Sequence, residues 1–102
     1  MIKNILFNQV PLVSVCIPTF NGEKYLIDAL HSVLGQTYTN IELVVSDDGS
    51  TDNTLQLIKE FANEVDFDVR IFNHQRTTIG ANWNYCVQKA RGKYIKFLFQ
   101  DD

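Results

Sequence analysis

Apolar positions along this 102-residue chain fall into two alternating patterns. Short unbroken apolar runs fit strands buried on both faces, and stripes of helical period fit amphipathic helices. Val13 to Ile17 is the first run, stopped by Pro18. Asn21 is placed to cap a helix whose stripe is Tyr25, Leu26, Ala29, Leu30, Val33 and Leu34, with Gly35 near its end. Ile41 to Ser46 is a second buried strand, closed by Asp47-Asp48-Gly49-Ser50. A helix follows from about Asp52 to Asn63, capped by Ser50 or Thr51, with Leu55, Ile58, Phe61 and Ala62 inward. Val69 to Phe72 is a third strand. A third helix, from about Gly80 to Arg91, carries Trp83, Cys86, Val87 and Ala90 at i, i+3, i+4 and i+7, with Gly92 as its C′ residue. Tyr94 to Phe99 is a fourth strand.

The order β-α-β-α-β-α-β predicts an α/β fold. Right-handed crossovers make it a Rossmann-like, doubly wound, mostly parallel sheet covered on both faces. Ligands bind such sheets beyond the carboxyl ends of the strands, where the winding direction switches. The segments to inspect are therefore Pro18 to Asn21, Asp47 to Ser50, and Gln100 to Asp102. They bring four carboxylates from two strands toward one end of one sheet. Clustered carboxylates repel one another and call for a cation or a donor-rich ligand. Hard oxygen ligands suit Mg²⁺ or Mn²⁺. Singly, Asp47 and Asp48 are explained as turn residues before a helix, and Asp101 and Asp102 as a polar chain end.

Composition narrows the classes. Nine basic against 12 acidic residues leave a net charge of −3, which disfavours a nucleic-acid binder. No apolar run approaches the ~20 residues that span a bilayer, and a cytoplasmic location is expected. Residues 1–12 read as a lead-in segment without a signal-peptide pattern, and 13–102 as one domain. The two cysteines, Cys16 and Cys86, fit small buried hydrophobes. His31 and His74 have no nucleophilic partner close in sequence and are read as structural. The first loop, Pro-Thr-Phe-Asn-Gly, contains no G-x-G-x-x-G, and no G-x-x-x-x-G-K-[ST] occurs, so neither a dinucleotide nor a P-loop site is expected. Phe20 at the sheet mouth suits either stacking on a nucleobase or a place in the core.

Five segments, in order, carry a resemblance. Val13-Ser-Val-Cys-Ile-Pro-Thr-Phe-Asn-Gly-Glu-Lys-Tyr-Leu26 resembles the opening of the family-2 nucleotide-sugar glycosyltransferases, with their P-x-[YF]-N-x-E signature. Ser32 to Tyr38 resembles their S-[IV]-L-x-Q-T-[YF] segment, and Glu42 to Asp52 their E-[LI]-x-[VI]-x-D-D-G-S-x-D. Asn84 with Ala90 to Ile95 resembles N-x-[GA]-x6-G-x-[YF]-[IL]. Phe97 to Asp102 occupies the place of the D-x-D metal motif, with Gln100 where that motif begins with aspartate. Trp83 stands where many members carry arginine.

The resemblance implies a GT-A fold and transfer of a sugar from a nucleotide-diphosphate donor, usually with inversion. By position, Pro18, Thr19 and Phe20 would form the base pocket and Glu23 would approach the nucleoside. Asp48 would accept a hydrogen bond from the base, and Asp47 would support the loop. Asp101 would contact ribose or metal, and Asp102 would ligate Mn²⁺ or Mg²⁺ at the diphosphate. Arg76 reads as a solvated loop arginine within reach of a phosphate. The acceptor site and general base are expected beyond residue 102, so the chain is expected to be the donor-binding half, inactive alone. Its acceptor, a glycan or lipid-linked sugar, is unknown. Sheet surface left uncovered makes a homo-oligomer plausible. Two readings compete: a receiver-like signalling module, and a nucleotide-binding module without chemistry.

Overall fold

The computed structural model describes residues 10–35 and 38–99. Seven elements alternate as the pattern predicts: β1 (Val13–Thr19), α1 (Glu23–Leu34), β2 (Ile41–Asp47), α2 (Thr54–Glu64), β3 (Asp68–Asn73), α3 (Ile79–Lys89) and β4 (Tyr94–Phe97). The four strands form one sheet in the order β3-β2-β1-β4. Every pairing is parallel. The fold is α/β, Rossmann-like and doubly wound.

Side-chain alternation along the strands sorts the chemistry by face. Val15, Ile17, Leu43 and Val45 pack against Leu26, Ala29, Leu30 and Val33 of α1 and Ile58 and Phe61 of α2. Burying each of the larger side chains contributes about 1.5–3 kcal/mol. The opposite face carries Cys16 and Val44 against Cys86 of α3. By the same period, Glu42 and Ser46 share the α3 face with Val44. Both cysteines are free and buried. The Cys86 thiol is pushed up by its hydrogen bond with Cys16 and by burial. That suits packing rather than nucleophilic chemistry.

The structure corrects several details. Tyr25 and Leu34 are half exposed rather than part of the buried stripe of α1. Asn21 does not cap α1: it adopts φ 45°, and its Oδ1 accepts from Thr51 N at 2.8 Å. The N-cap is Gly22, with no side-chain cap. Neither Ser50 nor Thr51 caps α2, whose N-cap is Asn53. Helix α3 is capped by Thr78, whose side chain accepts from Ala81 N at 3.1 Å. The cover on both faces holds for β1 and β2. β4 ends at Phe97 and is an exposed edge, with Tyr94, Ile95 and Phe97 open to solvent. Gly92 is not the C′ residue, because the C-cap is Ala90. Its need for glycine is close approach: a Cβ there would lie 2.6 Å from Ser14 N and 2.7 Å from Leu12 O. Among the described residues no helix is long and apolar enough to cross a membrane.

Candidate nucleotide site

Parallel register aligns Thr19, Asp47 and Asn73 in one row at the carboxyl edge of the sheet. Asp47 is fully buried there. Its Oδ1 accepts from Thr19 Oγ1 at 2.7 Å and Ser50 Oγ at 2.6 Å. Its Oδ2 accepts from Ser50 N and Asn73 Nδ2, both at 2.9 Å. Four donors occupy this carboxylate, so it braces the β2–α2 loop against both neighbouring strands.

Asp48 is also buried, but its partners come from the segment after β3. Oδ1 accepts from Thr77 N at 2.6 Å and Thr77 Oγ1 at 2.7 Å. His74 Nδ1 lies 3.6 Å from Oδ1, and Arg76 Nε 3.8 Å from Oδ2. Gly49 makes this approach possible. Its φ is +76°, and a Cβ there would stand 3.1 Å from Arg76 N and 3.2 Å from His74 O.

Asp48 and Arg76 border a cavity of about 310 Å³. The end of β1 contributes Pro18, Thr19 and Phe20, and Asp48 contributes from the loop after β2. Asn82 and Trp83 enter from α3, Phe99 from beyond β4, and Arg76 and Ile79 complete the lining. The cavity sits where the order β3-β2-β1-β4 reverses direction, between β1 and β4, as expected for a doubly wound sheet. A second hollow of about 410 Å³, between Leu34 and the α2–β3 turn, contains none of the predicted site residues.

Phe20 is not in the core. It lines the cavity, and the Arg76 guanidinium lies 3.6 Å from its ring centroid. One stacking distance separates them, so a flat ligand ring reaches that face of Phe20 only if Arg76 moves. The Arg76 side chain is 63% exposed, which leaves it room to swing outward. Trp83 stacks on Phe97 at 4.8 Å and packs on Phe99 at 5.2 Å. It therefore belongs to the cavity wall as well as to packing. Its indole Nε1 is buried without a hydrogen-bond partner among the described residues.

The predicted residues do not all converge. Pro18, Thr19, Phe20 and Asp48 meet at the cavity; Asp47 and Glu23 do not line it. Glu23 opens α1, where its side chain is exposed and its backbone N–H donates to Asp52 Oδ2 at 3.3 Å. Asp101 and Asp102 lie outside the described residues. Among the described residues no group of three or more His, Cys, Asp or Glu could hold a metal ion.

Sequence reasoning missed three participants. His74 meets Ser46, 28 residues away, at 3.0 Å, and Asn82 at 3.1 Å. The available signals were a serine at the carboxyl end of an apolar strand and an asparagine one turn into a helix. Arg76 is solvated as expected, 63% exposed, and also covers Phe20.

Residues 14–102 match the profile of glycosyl transferase family 2. The chain belongs to this family. The chondroitin synthase of Escherichia coli is 40% identical to it over 102 residues, spanning 99% of this chain and 15% of that protein. An uncharacterized glycosyltransferase of Haemophilus influenzae is 41% identical over 97 residues, spanning 92% of this chain and 38% of its own length. The family-2 chain thus covers well under half of these relatives. Solved structures agree on the fold. TarS 1-349 of S. aureus, in complex with UDP-GlcNAc, superposes with a TM-score of 0.80 at 31% identity, over 87% of this chain and 26% of that one. The mannosyltransferase PcManGT of Pyrobaculum calidifontis, in complex with GDP-Man and Mn²⁺, gives 0.83 at 25% identity, over 89% and 28%. The family-2 chain therefore has the GT-A type of sheet.

Proposed function

We propose that this chain carries the donor site of a glycosyltransferase that moves a sugar from a nucleotide diphosphate to an acceptor, with inversion. What supports this assignment most is the cavity at the β1/β4 switch point. It presents an aromatic ring, a buried carboxylate and an exposed arginine in one place. Phe20 offers a face for a nucleobase once Arg76 swings aside. Asp48 Oδ1 is committed to Thr77, so Oδ2 is the oxygen that accepts from the base edge. Asp101 and Asp102 would hold a divalent cation, which neutralises charge on a departing diphosphate when bound. The sheet order β3-β2-β1-β4 differs from the 2-1-3-4-5 order of receiver-type folds and argues against the signalling alternative.

Calorimetric titration of UDP and of GDP into the chain, with and without Mn²⁺, tests this. One nucleotide is expected to bind, more tightly with Mn²⁺, and Asp102→Ala is expected to remove the metal dependence. Phe20→Ala is expected to weaken that binding about tenfold or more through lost stacking. No binding to either nucleotide by a folded sample contradicts the donor-site assignment. The exposed edge β4 further suggests association between copies at high concentration. A single-copy mass by light scattering contradicts that part.

A further inference from the structure

His74 follows β3 and takes no part in the base, ribose or metal roles above, yet it touches two sides of the cavity lining at once. Its hydrogen-bond partners fix which of its nitrogens carry protons. Nδ1 lies 2.9 Å from Gln75 O and 3.6 Å from Asp48 Oδ1. Both are acceptors only, so Nδ1 carries hydrogen. Nε2 lies 3.1 Å from Asn82 Oδ1 and 3.0 Å from Ser46 Oγ. Asn82 Nδ2 donates to Thr19 O at 3.3 Å, which turns Oδ1 toward His74. Ser46 spends its one hydroxyl proton on Asn82 Oδ1, at 2.7 Å. Nε2 therefore also faces two acceptors. A neutral ring with hydrogen on Nδ1 would set a lone pair against Asn82 Oδ1.

We propose that His74 is a positioning residue for the nucleotide pocket, acting as an imidazolium that ties Asp48 on one side to the Ser46–Asn82 pair on the other. The proposal rests on the donor-site reading. The charged and titratable groups around the ring come from the β2–α2 loop, the ring's own segment and α3. Asp48 approaches from the β2–α2 loop, and Arg76 from the ring's own segment. Asp47 is next to Asp48, but its carboxylate is occupied by Thr19, Ser50 and Asn73. From α3 come Tyr85, whose ring centroid is 4.9 Å away, and Lys89, whose Nζ lies 5.3 Å from the Tyr85 centroid. Loss of the proton to solvent removes a cation beside Asp48 and a donor to Asn82 together. Both residues line the cavity, so an anionic donor is held less well. Histidine is the side chain that ordinarily makes such a change between pH 5 and 8.

The test uses UDP-N-acetylglucosamine and GDP-mannose, whose diphosphate diesters keep a constant charge between pH 5.5 and 8.5. Affinity of whichever binds is expected to fall about fivefold or more across that range in the native chain. In His74→Gln, which lacks a titrating ring, it is expected to be weaker and flat. A flat native profile overturns the proposal, and so does an equal slope in His74→Gln. Nitrogen-resolved NMR of the ligand-free native chain supplies a readout independent of nucleotide. The Asn82 side-chain amide and the Thr77 amide bonded to Asp48 are expected to shift in step with His74 ring titration. If neither sugar nucleotide binds, the donor-site reading fails, and these shifts alone decide the positioning role. Signals that stay still while the ring titrates overturn it.

Discussion

Asp48→Ala is expected to weaken nucleoside-diphosphate binding by about 10- to 100-fold. A hydrogen bond to a charged group contributes about 1.5–3 kcal/mol, and each 1.4 kcal/mol is tenfold. The variant also releases Thr77, which donates twice to Asp48 Oδ1. Asp48→Asn separates the two effects. Its amide oxygen can still hold Thr77, while its charge and the second acceptor are gone. Binding measured by calorimetry should fall in both variants, with thermal unfolding nearly unchanged in Asp48→Asn. Native affinity in both would mean that Asp48 does not touch the ligand.

The largest stability effect is expected at the opposite end of the sheet. Glu42 is fully buried on the α3 face, at the amino end of β2. Oε2 accepts from Ser14 Oγ at 2.6 Å and from Arg91 N at 2.7 Å. Oε1 accepts from Arg70 Nη1 at 3.1 Å and Arg91 Nε at 3.2 Å. Arg91 continues to Asp68 at 2.5 Å, and Gly92 N donates to Ser14 Oγ at 2.8 Å. One carboxylate thus joins β1, β2, β3 and the segment after α3. Burial pushes its acidity down, but these hydrogen bonds outweigh burial and hold the carboxyl below its ordinary range. Glu42→Ala removes the buried acceptor that Ser14, Arg70 and Arg91 share, and should cost about 3–5 kcal/mol. That is a large part of the ~5–15 kcal/mol available to a small domain.

The pH dependence follows from the direction of the shift. A carboxyl held low in the folded state stabilises the fold at pH above the unfolded value, near 4.3 for glutamate. The contribution is lost as pH falls through the folded-state value. Urea unfolding of the native chain should therefore weaken steeply on the acid side of about pH 4. Glu42→Gln should be less stable at pH 7 and lose less on acidification. Equal acid slopes in the two proteins would place the titration elsewhere.

The sequence made the sheet legible because its strands are apolar runs and its helices carry regular stripes. Asp47 and Asp48 were legible as a pair, since a doubly wound topology sends whatever follows β2 to the ligand edge. Their division of labour was implied by the family resemblance, with Asp47 supporting the loop, and not by spacing alone. Which carboxylate braces the loop depends on Thr19 and Asn73, set beside Asp47 only by strand register. Asn21 looked like a cap because asparagine favours that place. It instead takes a left-handed backbone that asparagine tolerates better than most residues, and ties the β1–α1 turn to Thr51. The half-exposed Tyr25 and Leu34 mark the edges of a stripe wider than the surface α1 covers. Glu42 did leave a signal: a charge inside an otherwise apolar run must be paired if buried. His74 left almost none, because Ser46 and Asn82 meet it only after β2, β3 and α3 have packed.

The most direct test of the central claim is chemical-shift mapping on the isotope-labelled 102-residue chain during titration with UDP or GDP. Saturable shifts are expected, confined to residues 18–20, 48–50 and 74–83, around the β1/β4 switch point. Shifts clustered instead at the amino end of the sheet, around Glu42, or none in a folded sample, would contradict that claim.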